Sequence, residues 1–382
     1  MTTETAQSRQ LGIYIHWPYC THICPYCDFN IYRARGQNTD VLLAAIKAEL
    51  RGAMSQTQGR KLTSLYFGGG TPSLIEAKQI GTIIELCDQL WGFEANPEIV
   101  LEANPNDGEI AKFEDFRSAG VERLSLGVQS FLDQGLKDLG RFHTPEKAIL
   151  ATEIAVKTFK RVSIDLIYAR QNQSQKDWEF ELNFANQLAV DHISPYQLTI
   201  EPNTSFERKV GRGSIKMPND DLSFGFWQQT QDSLAGFGFE AYEISNHARG
   251  EAAKSRHNLL YWKSQDWLGI GPGSHGRIGG VNQRRATQNL KKPDEYIAAI
   301  EKAGNALEID EELDHLDALH EHWLMGLRLN RGVHHMGDLR GINVAKLFEF
   351  SELGFVNSSK DKISLTAKGR PLSNAIIAGL LD

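Results

Sequence analysis

From Leu11 to about Thr199 the chain alternates short apolar runs with longer stretches whose apolar positions recur at helical spacing. The runs Leu11–Ile15, Leu62–Phe67, Glu98–Leu101, Arg123–Val128, Val162–Ile167 and His192–Leu198 predict strands. The stretches Asp40–Met54, Glu76–Leu90, Ile110–Ser118, Pro145–Thr158 and Gln175–Leu188 predict the helices between them. Strands alternating with helices at roughly thirty residues per unit predict β/α repeats around a parallel sheet. About six such units fit, short of the eight in a closed barrel. The expected fold is therefore α/β, with a partial TIM-like (β/α)6 barrel.

Past Thr199 the pattern loosens. Pro202, Gly211, Gly213 and Pro218 mark loops, Asp220–Leu234 reads as a helix, and a glycine-rich stretch runs from Leu268 to Gly276. Periodicity lapses near Gly280–Lys292, which predicts a first domain over 1–285 and a second over 286–382. The second opens on a helix around Tyr296–Ala303 and an acidic run containing Glu308, Asp310, Glu311, Glu312, Asp314, Asp317 and Glu321. Helical Leu316–Leu329, a short helix near Val344–Phe350, and Lys362–Thr366 before a last helix predict a winged-helix-like α+β module.

Composition narrows the classes. Apolar content of 41% and charged content of 23% are ordinary for a globular protein. The opening Met1–Gln10 is polar and no apolar run reaches 18 residues, so neither a signal peptide nor a membrane span is expected. A net charge of −7 argues against nucleic acid as the main partner. Residues 291–382 carry 11 Lys/Arg against 15 Asp/Glu, so the winged module is expected to pack or dock rather than bind DNA.

Cysteine usage supplies the first chemistry. Of four cysteines, three fall in Cys20-Thr-His-Ile-Cys24-Pro-Tyr-Cys27, a C-x3-C-x2-C spacing. Thiolates that close converge on one centre and suit zinc or an iron–sulfur cluster. Cys87 lies in an amphipathic helical run and reads as a small buried hydrophobe. Three ligands without a fourth suggest a [4Fe–4S] cluster with one iron open, and clustered thiols suit a reducing cytosol. Active sites gather at the carboxyl ends of parallel strands. Those ends here read Gly68-Gly69-Gly70-Thr71-Pro72, Glu102-Ala-Asn104-Pro105 and Gln129-Ser130, with Asp165 inside a fifth apolar strand. An aspartate there needs a partner.

These residues carry a resemblance. Tyr14-Ile-His16-Trp-Pro18-Tyr-Cys20 through Cys27-Asp-Phe29, Phe67–Pro72, Glu102–Pro105, Arg123–Ser130, Arg141-Phe-His143 and Asp165–Tyr168 resemble radical S-adenosylmethionine (SAM) proteins. Their relative is oxygen-independent coproporphyrinogen III oxidase, and the chain looks most like the HemW-type heme chaperones. The resemblance implies a [4Fe–4S] cluster on Cys20, Cys24 and Cys27. It implies a SAM site bordered by Tyr14 and Tyr26. Gly69, Gly70 and Thr71 would take the methionyl end, and Glu102, Gln129, Arg141 and Asp165 the remainder. Thr199 and His275 would border the same pocket. One departure is plain: where the family continues Gly-Leu-Pro-Gly-Gln-Thr after Asp165–Tyr168, this chain has Ala169-Arg-Gln-Asn-Gln-Ser174, which puts the turn's shape in question.

Two features separate chaperone from oxidase. The oxidases carry a further cysteine where this chain has Phe29, and a longer segment before the first strand. The positive mark is His257-Asn258-Leu-Leu-Tyr261-Trp262, matching the H-N-x-x-Y-W motif of the chaperones. A neutral imidazole from His257 could ligate heme iron, with Tyr261 and Trp262 offering flat surface; the bland reading is an ordinary strand with inward aromatics. The resemblance implies a cytoplasmic heme chaperone that delivers heme to respiratory proteins at the inner face of the membrane, peripherally associated there, with the acidic wing as a docking surface. It names no catalytic residue and leaves a homodimer open. The alternative is SAM-dependent oxidative decarboxylation of porphyrinogen propionates.

Overall fold

The computed structural model describes residues 9–57, 59–335 and 337–381; most of the polar opening stretch lies outside them. Six parallel strands appear where expected: β1 (Leu11–Trp17), β2 (Leu62–Gly69), β3 (Phe93–Ala103), β4 (Arg123–Gln129), β5 (Arg161–Tyr168) and β6 (His192–Gln197). A seventh, β7 (Asp266–Ile270), lies parallel to β1 on its outer side. Leu11, Ile13 and Ile15 are fully buried, as expected of a strand covered on both faces.

Helices begin where short polar side chains can satisfy the first free N–H groups. Thr144 caps Pro145–Thr158, with proline at the first helical position. Ser174 and Asp177 form a reciprocal capping box that starts Gln175–Gln187. The helix expected over 110–118 is split into Asp107–Ile110 and Phe113–Ser118.

The sheet and the main core run on past 285. Beyond β7 the sheet continues antiparallel through β8 (His275–Ile278), β9 (Arg285–Asn289) and β10 (Leu307–Glu312), making twelve strands with two short ones at the far edge. Tyr296 and Ile300, on the helix Pro293–Ala303, are buried in the main core. A separate core begins with Trp323 and gathers Leu327, Val333, Ile363, Ile377 and Leu380 around a three-stranded sheet. Main-core membership thus reaches Ala306, and sheet pairing reaches Glu312. Pairing in a sheet edge leaves no apolar periodicity to read. Glu321, in the acidic run, ties the two parts together by accepting from Arg277 at 2.7 Å and Arg284 at 3.0 Å.

A correction concerns the H-N-x-x-Y-W segment. It forms a helix, Arg256–Trp262, capped by Ser255, rather than a strand. This helix packs on β1, β2 and β7. It sits so close to β1 that a Cβ at Gly12 would stand 2.4 Å from Leu260. Among the described residues, no helix is long and apolar enough to cross a membrane.

Candidate functional site

A cavity of about 720 Å³ opens at the carboxyl ends of the parallel strands. Cys20 enters it from the end of a short strand paired with Tyr32–Arg33, and Cys24 and Cys27 follow on a turn closed by Cys27 N–H donating to the Cys24 carbonyl. Two of the thiols lie near side-chain donors: Thr71 Oγ1 is 3.4 Å from Cys20 Sγ, and Arg141 Nη1 is 3.3 Å from Cys24 Sγ. Burial pushes the Cys20 thiol up and the Cys27 thiol up to about 12.

The donor set bears on what the loop can hold. Among the described residues, no three His, Cys, Asp or Glu side chains converge tightly enough for one metal ion. A tetrahedral zinc, about 2.3 Å from each sulfur, would need sulfurs within about 4 Å of one another. A four-iron cluster, held at its corners, draws its ligands less closely together and fits three thiols on one loop. Cys87 is fully buried in the helix Ala77–Trp91, away from the cavity.

Opposite the cysteines stand the other strand-end residues. Gly69 has φ of +107°, and a Cβ there would meet the His16 ring at 2.7 Å. Its glycine is therefore required by close packing of β2 on β1, whatever the cavity holds. The N–H groups of Gly69, Gly70 and Thr71 already donate, to Glu102 Oε2, Trp17 O and Tyr19 O. What this turn can offer an amino group is carbonyl oxygen. Arg141 Nη2 donates to Asn104 Oδ1 at 2.5 Å and to Gly127 O at 3.1 Å. Asn104 in turn donates to Thr71 Oγ1 at 3.3 Å, which links the second, third and fourth strand ends. Gln129 sits in the left-handed region at φ +67°, next to a register shift in β4. Strain of that kind costs on the order of 1–3 kcal/mol and persists only where neighbours impose it.

Two carboxyls, Glu102 and Asp165, line the cavity. Burial pushes Glu102 up to about 7, against hydrogen bonds from Tyr66 and Gly69, and the charge of Asp165 adds to it. Burial pushes Asp165 up to about 7 as well; Ser194 and Ser125 bond it and Arg141 opposes the rise. The aspartate inside the fifth strand thus has the partners its burial demands.

Of the predicted site residues, Cys20, Cys24, Cys27, Tyr26, Gly69, Gly70, Thr71, Glu102, Gln129, Arg141 and Asp165 all line this one cavity, as does Thr199. Tyr14 does not: it lies a layer below, its hydroxyl against His16 Nδ1 at 3.1 Å and its ring against Tyr66. His275 sits exposed on β8, outside the lining.

The expected heme trio is also elsewhere. His257 is 1% exposed, with Nδ1 2.8 Å from Ser64 Oγ and Nε2 2.7 Å from the Tyr261 hydroxyl. Its ring stacks on Tyr66 at 4.9 Å, and Tyr261 packs edge-on to Trp267 at 4.6 Å. In this conformation His257, Tyr261 and Trp262 belong to a helix filling the barrel, and His257 presents neither nitrogen to a ligand. The strand of the bland reading is a helix here, and its histidine has both nitrogens partnered.

The questioned turn reaches the left-handed region without glycine. Ala169 and Asn172, where the family has glycines, adopt φ of +57° and +56°. Arg170 anchors the turn by donating to Ile167 O at 2.7 Å and to Glu181 Oε2 at 2.6 Å. Glu181 also accepts from Phe131 N–H at 3.0 Å, joining the ends of β4 and β5. Asn104 and Arg170 stand in stretches the sequence singles out but have no role there; Tyr66 and Glu181 carry no signal in the sequence.

Comparison with known proteins agrees with this geometry. Residues 14–185 match the Radical SAM superfamily. The chain is 31% identical over 377 residues to "Heme chaperone HemW" of Bacillus subtilis, covering 96% of this chain and 98% of that one. It is 36% identical over 332 residues to "Radical S-adenosyl methionine domain-containing protein 1, mitochondrial" of Danio rerio, covering 85% and 74%. Among solved structures, the Escherichia coli coproporphyrinogen III oxidase HemN superposes with a TM-score of 0.83 at 24% identity, over 99% of this chain and 91% of that one. That likeness speaks for the fold.

Proposed function

The chain belongs to the HemW family of radical SAM proteins, and from that premise we propose that it is a cytoplasmic heme chaperone. It takes up heme and hands it to heme-dependent respiratory proteins at the inner face of the membrane. The observation that supports this reading most is similarity to bacterial heme chaperones along nearly the whole chain, not along the barrel alone.

In this reading Cys20, Cys24 and Cys27 would hold a [4Fe–4S] cluster. SAM would occupy the cavity beside it, with carbonyls of the 69–71 turn for its amino group. Arg141 suits a carboxylate, and Glu102 and Asp165 suit hydroxyls. When bound, the cluster supplies redox chemistry and an open iron. The protein's own part is to orient: Arg141, Asn104 and Thr71 lock three strand ends and two cysteines into one frame.

The test uses anaerobically purified, cluster-reconstituted protein. Hemin titration is expected to give a saturable Soret band, and loaded protein to restore activity to a heme-free respiratory enzyme. Coproporphyrinogen III with SAM and a reductant is expected to remain unconverted. Conversion at enzyme-like rates, or no saturable hemin binding, would overturn the proposal.

A further inference from the structure

With His257 sealed inside the barrel, a reachable imidazole lies within the cysteine loop itself, at His22. A groove of about 590 Å³ adjoins the main cavity and shares His22, Cys24, Cys27, Arg141 and Phe142 with its lining. His22 stands in it, partly exposed, edge-on to the ring of Phe142 with centroids 4.2 Å apart. Phe142 is 78% exposed and, with His22, puts a flat aromatic surface at the mouth of the groove. Ile23 and Pro25 extend the apolar wall.

The charge of the groove is one-sided. Lys137, Arg141 and Arg208 line it and no aspartate or glutamate does, in a chain whose net charge is −7. Arg141 is committed to Asn104, Gly127 and Cys24. Arg208 makes only a long contact, 3.4 Å, to Asn203 O, and Lys137 is exposed. An apolar wall, one imidazole and two available cations complement a flat apolar anion that carries a metal and two carboxylates. A metal-free porphyrinogen would use the wall and cations but not the imidazole.

We propose that this groove is the heme-docking site, with His22 as axial ligand, Phe142 against the macrocycle, and Lys137 and Arg208 on the propionates. This deepens the chaperone reading and rests on it. The site would place heme directly beside the cluster loop, since Cys24 and Cys27 line the same groove.

Hemin is titrated into the full reconstituted chain and its variants, reading the Soret position and low-spin EPR signal beside the affinity. His22→Ala is expected to shift both spectra and to weaken hemin by about tenfold or more. His257→Gln is expected to keep the wild-type spectra. Because His22 lies between two cysteines, Phe142→Ser serves as the variant that leaves the loop intact, with iron content as its control; it too should weaken hemin. Lys137→Glu with Arg208→Glu should weaken hemin but spare its dimethyl ester. If wild type binds hemin, and His257→Gln abolishes the signal while His22→Ala and Phe142→Ser do not, the groove is refuted and the chaperone reading stands. If wild type binds none, both fall.

Discussion

His257 and Tyr261 are locked to each other inside the barrel, Nε2 to phenol oxygen at 2.7 Å, one helical turn apart. Ser64 closes the other nitrogen at 2.8 Å. A motif that pointed to a metal ligand therefore builds part of the core, and its loss should register as lost stability. His257→Ala removes a buried ring and strands two buried hydroxyls. The expected cost is about 2–4 kcal/mol, from the cavity and the unpaired groups together. Urea unfolding of the purified variant measures it, and a change below about 0.5 kcal/mol would mean that the ring is not held this way.

Ala169 offers the opposite sign. A left-handed backbone costs a side-chain-bearing residue on the order of 1–2 kcal/mol, while glycine adds roughly 0.4–1 kcal/mol of unfolded-state freedom. Ala169→Gly should thus stabilise by up to about 1 kcal/mol, raising the thermal midpoint without altering SAM or hemin affinity. A lower midpoint would show that the alanine methyl packs favourably enough to outweigh the strain.

The turn that holds Ala169 depends on Arg170 and Glu181, whose side chains are 3% and 0% exposed. Removing one partner of a buried pair leaves an uncompensated charge, at about 3–5 kcal/mol. Glu181→Ala should cost that much, and should also loosen the ends of β4 and β5, since the same carboxylate accepts from Phe131 N–H and from the Ser130 hydroxyl. Hydrogen exchange is expected to quicken at Phe131, which tests the link between strands independently of global stability.

How far the sequence carried the structure follows from the range of the forces involved. The six strands and their rim residues were legible because burial on both faces writes itself as apolar runs, and because strand ends are where polar residues interrupt them. Helical periodicity placed the helix from Gln175 onward, and the structure adds the Ser174–Asp177 capping box that starts it. The edge strand Leu307–Glu312 was not legible: five of its six residues are exposed, and only pairing with β9 makes it a strand. The types and spacing at His257 suit a core histidine and a ligand alike; what buries it is Gly12, 245 positions earlier in the chain, which leaves room for Leu260. Tyr66 and Glu181 act through partners far away in sequence, and no local pattern announces that.

The floor of the cavity should be visible in the pH dependence of stability. Burial raises Glu102 to about 7 in the folded protein, against an ordinary value of about 4.5. Between those values the native state holds a proton that the unfolded chain has released. Stability from this group is therefore full below about pH 4.5, declines as pH rises, and levels off above about pH 7. Asp165, raised to about 7 from 3.8, pulls in the same direction. Carboxylate oxygens that reach the cavity are partly solvated, so the loss for Glu102 is on the order of 1–2 kcal/mol rather than the full linkage value. Glutamine imitates the protonated acid. Glu102→Gln should therefore change stability little at pH 5 and raise it relative to wild type at pH 8, so that its stability is flatter across this range. Denaturant midpoints at the two pH values decide the matter: an equal shift at both would mean that Glu102 is already ionised in the native protein at pH 5.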